Sequence, residues 1–249
     1  MSLRRSSGEA VAGSDPTWRG LYRAGSISAI LFVVLNVTAI VLDFTAPPPL
    51  SGGVATLEFI AQNRRVYILE QILWLVPGIF AMVVFVALYP ALKHLNKSYA
   101  ALGAAVGGAS WALTLAIPTT TRGAPALVYL SDQYAAATTA AERAVFATAA
   151  EALVAQNNTP TIVGILTTVG ILIISLVMLK GVFHRVVAYL GIATGVVGIS
   201  SEALRFVLPA VYGVYGLLLF GWFIAVGWTL YRLAGSSPRD RRTYEGNSR

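Results

Sequence analysis

Apolar positions gather into six long blocks, at about 24–43, 66–92, 99–118, 160–180, 186–205 and 211–232, parted by short polar or proline-rich stretches. A half-buried strand alternates with a period of two, and a helix at a water-covered surface keeps a polar face. These blocks stay apolar all round for longer than either pattern allows. Each also meets the roughly 20 residues a helix needs to cross about 30 Å of hydrocarbon. The pattern predicts an all-α fold, a polytopic membrane protein whose six transmembrane helices form a bundle over residues 19–235. Residues 1–18 and 236–249 are polar tails containing glycine, serine and arginine, and are expected to be mobile. The first block is too long for the apolar core of a signal peptide, and Pro47-Pro48-Pro49 after it disfavours cleavage.

Two connecting segments are long enough to carry structure. Residues 44–65 start with the stiff proline run, and a short helix is expected from about Val54 to Gln62. In 119–160, Thr139 and Glu142 have the spacing of a capping box, which satisfies two backbone donors at a helix start. Val145, Phe146, Ala149, Leu153 and Val154 then recur at helical spacing, with Arg143, Glu151 and Gln156 elsewhere on the wheel. This predicts an extra amphipathic helix over 139–156 on the outer side. It is either a connector covering loop backbone or a lid over a cavity.

Composition narrows the class. Charged residues make up 12% of the chain, hydrophobic residues 56%, and mean hydropathy is +0.70. An ordinary soluble domain carries about 25% charge, so a soluble enzyme, a disordered chain and a coiled coil are excluded. Thirteen of the 18 basic residues fall in the two tails, in the helix ends next to them (Arg19, Arg23 and Arg232) and in the loops at 93–97 and 180–185. Arg64, Arg65, Arg122 and Arg143 fall on the opposite side, and Arg205 at a helix end. The positive-inside rule then places both termini in the cytoplasm of a cell, or inner, membrane. The net charge of +7 is mainly a topology signal, and the dispersed basic residues give no nucleic-acid surface. The chain holds no cysteine, hence no disulfide, thiolate nucleophile or cysteine metal site.

Small residues line one face of two blocks: Ala100, Gly103, Gly107, Ser110 and Thr114 in the third, Ala188, Gly191, Gly195 and Gly198 in the fifth. Lipid tails are as apolar as leucine, so membrane helices associate by close approach, which such faces permit. Ala101–Gly107 also echoes Tyr189–Gly195. Shared packing seams or an internal duplication would each account for that.

The candidate chemistry is a set of polar residues near one membrane boundary. Asn36 and Asp43 share a face of the first block, Glu70 and Trp74 a face of the second, and Glu202 and Arg205 continue the small-residue face of the fifth. Intramembrane ionisable residues tend to face the interior, find partners and mark function. One reading is a small polar pocket open to the outside. Asp43, Glu70 and Glu202 supply charge there, Arg205 balances it, Asn36 forms the floor and Trp74 a wall. The other reading is a set of helix-end anchors joined by ion pairs such as Glu202–Arg205. The pocket would bind or move a small polar or cationic ligand. Anchors alone would suit a structural or accessory subunit of a membrane complex, with a protein partner or a second copy. An intramembrane enzyme ranks lowest, because no nucleophile accompanies the carboxylates. His94 and His184 fall in short turns, unsuited to a haem, and neither a metal-binding spacing nor a phosphate loop is present. No cofactor and no metal are expected, and the bilayer is the one sure partner.

Trp18-Arg19-Gly20-Leu21-Tyr22-Arg23-Ala24-Gly25 leads into the first block. Leu179-Lys180-Gly181-Val182-Phe183-His184-Arg185 leads into the Leu190-Gly191, Gly195 and Gly198 helix. With the six-span layout, these stretches resemble the uncharacterised bacterial membrane proteins grouped as domain of unknown function 4386 (DUF4386). The likeness would cover roughly residues 18–235. It implies a compact six-helix bundle in a bacterial inner membrane, and it brings no activity and no catalytic residues.

Overall fold

Helix starts and breaks along this chain are set by side chains that satisfy, or fail to supply, backbone hydrogen bonds. In the computed structural model, residues 16–49, 51–120, 123–181 and 183–235 are described. Arg122 and nearly all of both polar tails lie outside them. After a short 3-10 turn at Pro16–Trp18, the helices are α1 Arg19–Thr45, α2 Gly53–Leu75, α3 Pro77–Leu92, α4 Lys97–Ala116, α5 Ala126–Ala136, α6 Ala140–Asn157, α7 Ile162–Met178, α8 Arg185–Ala203 and α9 Ala210–Gly235. Asn96 starts α4 by accepting from Tyr99 N at 3.1 Å, and Thr161 starts α7 by accepting from Gly164 N at 3.0 Å. His184 starts α8, its Nδ1 accepting from Val186 N at 3.3 Å. α2 ends at Leu75 and α3 begins at Pro77, which has no N–H to continue the first helix.

Six helical stretches are long and apolar enough to cross a membrane: α1, the α2–α3 tandem, α4, the α6–α7 tandem, α8 and α9. The protein is thus an all-α multi-pass membrane protein. At 1.5 Å per residue the 40-residue α2–α3 tandem would reach about 60 Å, twice a hydrocarbon core. A kink at Asn63 resolves the excess. Its φ/ψ of −117°/25° leaves the helix, and its amide donates to Phe59 O at 3.1 Å. Residues beyond the kink make the crossing, as the 66–92 block predicts.

The six crossing elements α1, α3, α4, α7, α8 and α9 form a closed ring in chain order, α9 returning against α1. Both described chain ends lie at one end of the ring, the basal end. There the Lys93 ammonium stands 4.7 Å above the Trp18 ring, and a Cβ on Gly25 would meet Leu230 of α9 at 3.0 Å. An even number of crossings follows. Arg19, Arg23, Lys93, Lys97, Lys180, Arg185 and Arg232 all belong to this end.

α7 sits between the two glycine faces. A Cβ on Gly170 would stand 2.5 Å from the Gly107 Cα, so α4 and α7 touch backbone to backbone. Gly195 of α8 packs on Leu172 and Thr168 from the other side. The predicted seams are therefore consumed inside the chain. Phe85, Trp222 and Phe223 fill the middle of the ring, with Phe85–Trp222 centroids 6.0 Å apart and Trp222–Phe223 edge-to-face at 5.3 Å.

The opposite end carries a cap made of the first half of α2, α5 and α6, with its own core of Leu57, Ile60, Tyr67, Leu127, Ala150 and Val154. The capping box of α6 is present: Glu142 N donates to Thr139 Oγ1, and Thr139 N donates to Glu142 Oε2, both at 3.2 Å. The buried face of α6 is rotated from the predicted one. Ala150, Val154 and Asn157 are buried, while Val145 and Ala149 are exposed, because α6 packs on α2 and α5 rather than flat on the bundle mouth. α5 carries no strong periodic signal. It is held by Ser131 Oγ, which donates to Leu57 O at 2.7 Å, and by an ion pair from Arg64 to Asp132. Glu151 of α6 accepts from the first N–H of α2, at Gly53.

Candidate functional site

Where the cap meets the ring, the bundle is hollow. A pocket of about 680 Å³ lies between α1, α4, α7 and α9, roofed by the segment joining α6 to α7. α1 turns Phe32, Asn36, Ile40 and Asp43 towards it at helical spacing. Its floor is aromatic: Phe32 meets Trp111 edge-to-face at 5.2 Å, Phe220 at 6.4 Å and Phe223 in a stack at 4.0 Å. α9 supplies Tyr212, Gly213, Tyr215, Gly216, Leu217, Leu219 and Phe220. A Cβ placed on Gly213 or Gly216 would meet nothing within 4 Å, so the absence of side chains there leaves space free.

Four of the six sequence-predicted residues line this pocket: Asn36, Asp43, Trp74 and Arg205. Asn36 is 6% exposed, and its amide nitrogen is occupied by Phe32 O at 2.8 Å, one turn back in its own helix. It stands on the wall above Phe32 rather than at the bottom. Asp43 is buried one to two turns higher. Trp74 closes the side next to the α2–α3 break.

Glu202 and Glu70 do not line the pocket, for different reasons. Glu202 is 2% exposed and faces the start of α7. Its Oε2 accepts from Thr161 N at 3.0 Å and from Arg205 Nη1 at 3.3 Å. A carboxylate at a helix N-terminus also meets the positive end of the helix dipole. Gly164 lies beside it, and a Cβ there would push the Glu202 carboxylate aside. Arg205 carries the link onward. Nη2 donates to Asn157 O at 2.8 Å, and the guanidinium lies 4.9 Å over the Tyr212 ring. One ion pair therefore ties the end of α6, the start of α7, the end of α8 and the start of α9.

Glu70 is fully buried on the face of α2 that also carries Tyr67, Gln71 and Trp74. That face holds Thr120, Gly123 and Ala124. Tyr67 OH donates to Ala124 O at 3.3 Å and accepts from Ala124 N at 3.1 Å, while Thr120 Oγ1 bonds Gln71 Oε1 at 3.1 Å. Gly123, at φ +154°, lies so close to the Tyr67 hydroxyl that no side chain fits.

Sequence reasoning missed Trp111, Thr114, Asn157, Thr167 and the Gly213–Gly216 wall. A signal existed for α4, where Ser110, Trp111 and Thr114 follow the small-residue face. Ser110 and Thr167 join α4 to α7 through hydroxyls 2.9 Å apart. Nothing marked Asn157, which reaches the site only because the chain breaks between α6 and α7. Trp74, Trp111 and Asn157 share a property. Each lines the pocket and holds a polar atom (an indole N–H in the tryptophans, Oδ1 in the asparagine) that is shut off from solvent and makes no hydrogen bond. Such an atom costs about 1–3 kcal/mol; three of them belong to side chains around this one cavity, while Trp222 Nε1 and Ser175 Oγ are others inside the packed ring. Among the described residues, no three His, Asp or Glu side chains gather into a metal-holding group.

Comparison with curated proteins and with solved structures found no match. Residues 27–234, the whole ring with its cap and pocket, match the family described as domain of unknown function DUF4386, and the chain belongs to that family.

Proposed function

We propose that this protein binds a small molecule in the pocket between α1, α4, α7 and α9, and that binding rather than catalysis is its role. The observation that carries this reading is the coincidence of a cavity of about 680 Å³ with three lining residues, Trp74, Trp111 and Asn157, whose buried polar atoms find no partner in the protein. Ligand sites are clefts of roughly this size, mostly apolar, with a few polar groups. Asn36, Asp43, Trp74 and Arg205 belong to the walls, and Glu202 acts behind them by holding Arg205. Glu70 serves the junction of α2 with the cap. A catalytic role would need a nucleophile beside a base, and the walls offer no such pair.

The charge asymmetry supports placing the basal end, with both termini, in the cytoplasm of the inner membrane. The pocket then lies in the extracytoplasmic half of the protein. The alternative role, an accessory subunit held in a complex through its glycine faces, loses its main support, since Gly103, Gly107, Gly191, Gly195 and Gly198 all pack within the chain.

The test compares organic extracts of the wild-type protein and of Gly216→Leu, purified in parallel from their own membranes. A compound near one per chain in the wild type, depleted in the filled variant, is the expected result. Extracts of equal content would remove the proposal.

A further inference from the structure

The walls of the pocket differ with height, and the difference bears on what enters and from where. At the basal end α1 and α9 are in continuous contact. Gly25 meets Leu230, a Cβ on Gly227 would meet the Ala29 Cβ at 2.8 Å, and Phe32 meets Phe223 and Phe220. Above Phe32, Asn36, Ile40 and Asp43 of α1 and Gly216, Gly213 and Tyr212 of α9 face the pocket instead. Leu217 and Phe44 both line it, yet are 73% and 83% exposed on the outside of the bundle. Leu217 stands only three residues, about 4.5 Å along the axis, above the floor residue Phe220. At that depth the outside of a membrane protein is hydrocarbon. The gap between α1 and α9 is thus an apolar window facing acyl chains.

The upper walls have another character. Thr114, Thr119, Thr120, Asn157 and Thr161 gather under the roof, and Trp74 and Trp111 bring their indoles. The cation there is already paired: Arg205 is held by Glu202, Asn157 O and Tyr212. A site with an apolar window below and uncharged donors and acceptors above fits a molecule of the same two-part build.

We propose that the pocket takes an amphiphile from the membrane: an apolar chain entering between α1 and α9, and an uncharged head bearing both hydrogen-bond donors and acceptors seated under the cap between Trp74, Trp111 and Asn157. This rests on the binding role given above and adds the ligand class and route. Small rotations of the two indoles and the amide present their unsatisfied atoms to such a head.

The probe is 1-(9,10-dibromostearoyl)glycerol, whose bromines quench tryptophan and whose glycerol head has the required chemistry. The full chain carries Trp18→Phe and Trp228→Phe, so that Trp74, Trp111 and the core Trp222 report. Quenching in lipid nanodiscs is expected to saturate near one probe per chain and to weaken at least tenfold in Gly216→Leu or Gly213→Leu, which fill open space. Quenching that rises linearly with probe content, or is equal in the filled variants, overturns the proposal.

A second readout separates this failure from that of the binding role. The chain has no cysteine, so Thr114→Cys gives a single thiol inside the pocket. Monooleoylglycerol is expected to slow its labelling by a methanethiosulfonate reagent at least fivefold, and glycerol alone to leave it unchanged. Protection by glycerol without protection by the monoacylglycerol would discard the membrane route and leave a water-borne ligand. Protection by dibromostearate but not by the glyceride would discard the uncharged head.

Discussion

The two ends of the ring are built from the same kinds of residue and to opposite effect. At the basal end Gly25 receives Ala87 and Leu230, and through the middle Gly107 receives Gly170 and the Phe85 ring and Gly191 receives Ser175 and Trp222. At the capped end, Gly213 and Gly216 admit nothing. Aromatic rings follow the same division. Phe85, Trp222 and Phe223 fill a solid centre, whereas Phe32, Trp111 and Phe220 floor a hollow one. A small residue in a membrane helix therefore permits close approach only if a partner comes to meet it. The cap withholds the partner, because the α6–α7 connection spans the top of the ring without descending into it.

Substitutions can break this contrast, beginning with those of largest effect. Gly170→Leu would drive a side chain into the α4 backbone. Overpacking costs roughly 1–3 kcal/mol where side chains can yield, and backbone cannot, so loss of folded monodisperse protein in size-exclusion chromatography is expected. Glu202→Ala would leave the Arg205 guanidinium buried without its carboxylate and Thr161 N without its acceptor. Removing one partner of a buried pair costs about 3–5 kcal/mol, seen as a large fall in thermal midpoint. The Glu202→Ala/Arg205→Ala double variant should lose less than the sum of the single ones. Tyr67→Phe deletes the hydroxyl that holds Ala124 on both sides and should cost about 1–2 kcal/mol. Faster amide exchange confined to the 123–128 region and the cap, with ring amides unchanged, would check it.

A smaller effect concerns pH. The backbone N–H groups of Thr139 and Thr138 hold the Glu142 carboxyl below the usual carboxylate range. A depressed folded value contributes stability that is complete above the unfolded pKa, near 4.3, and is lost as pH falls through the folded value. Exchange at the first turn of α6 should thus accelerate below about pH 4, and Glu142→Gln should remove that pH dependence. The smallest effect sharpens the contrast most: Gly216→Leu should leave the thermal midpoint within about 1 °C, in a helix where the same change at Gly227, packed on Ala29, should be severe.

How much of this was legible in sequence follows from what each signal measures. Hydropathy reports transfer from water to lipid, so six crossings and their ends stood out, and the basic residues marked the end that holds both termini. Local chemistry reports local structure, so Thr139–Glu142 and the glycine faces could be read directly. The site was half legible. Asp43, Trp74 and Arg205 shared a height, Asn36 lay about two turns below Asp43, and each faced inward on its own helix; all four line one pocket. Glu202 shared the height too, but whether it faced a cavity or the start of α7 depends on where Thr161 comes to rest, which no helical wheel contains. Glu70 lies on the face of α2 that meets Thr120, Gly123 and Ala124, a contact set by the tertiary fold. Asn157 lies in a polar stretch without periodicity and enters the wall only through the break before α7.

The tie made by Arg205 and Glu202 also decides which wall can yield. It clasps the head of α9 to its neighbours, so that side of the window is a doorpost. α1 leaves the ring through Ala46 and the prolines, so the fixed reference for whatever passes the window is the α9 side.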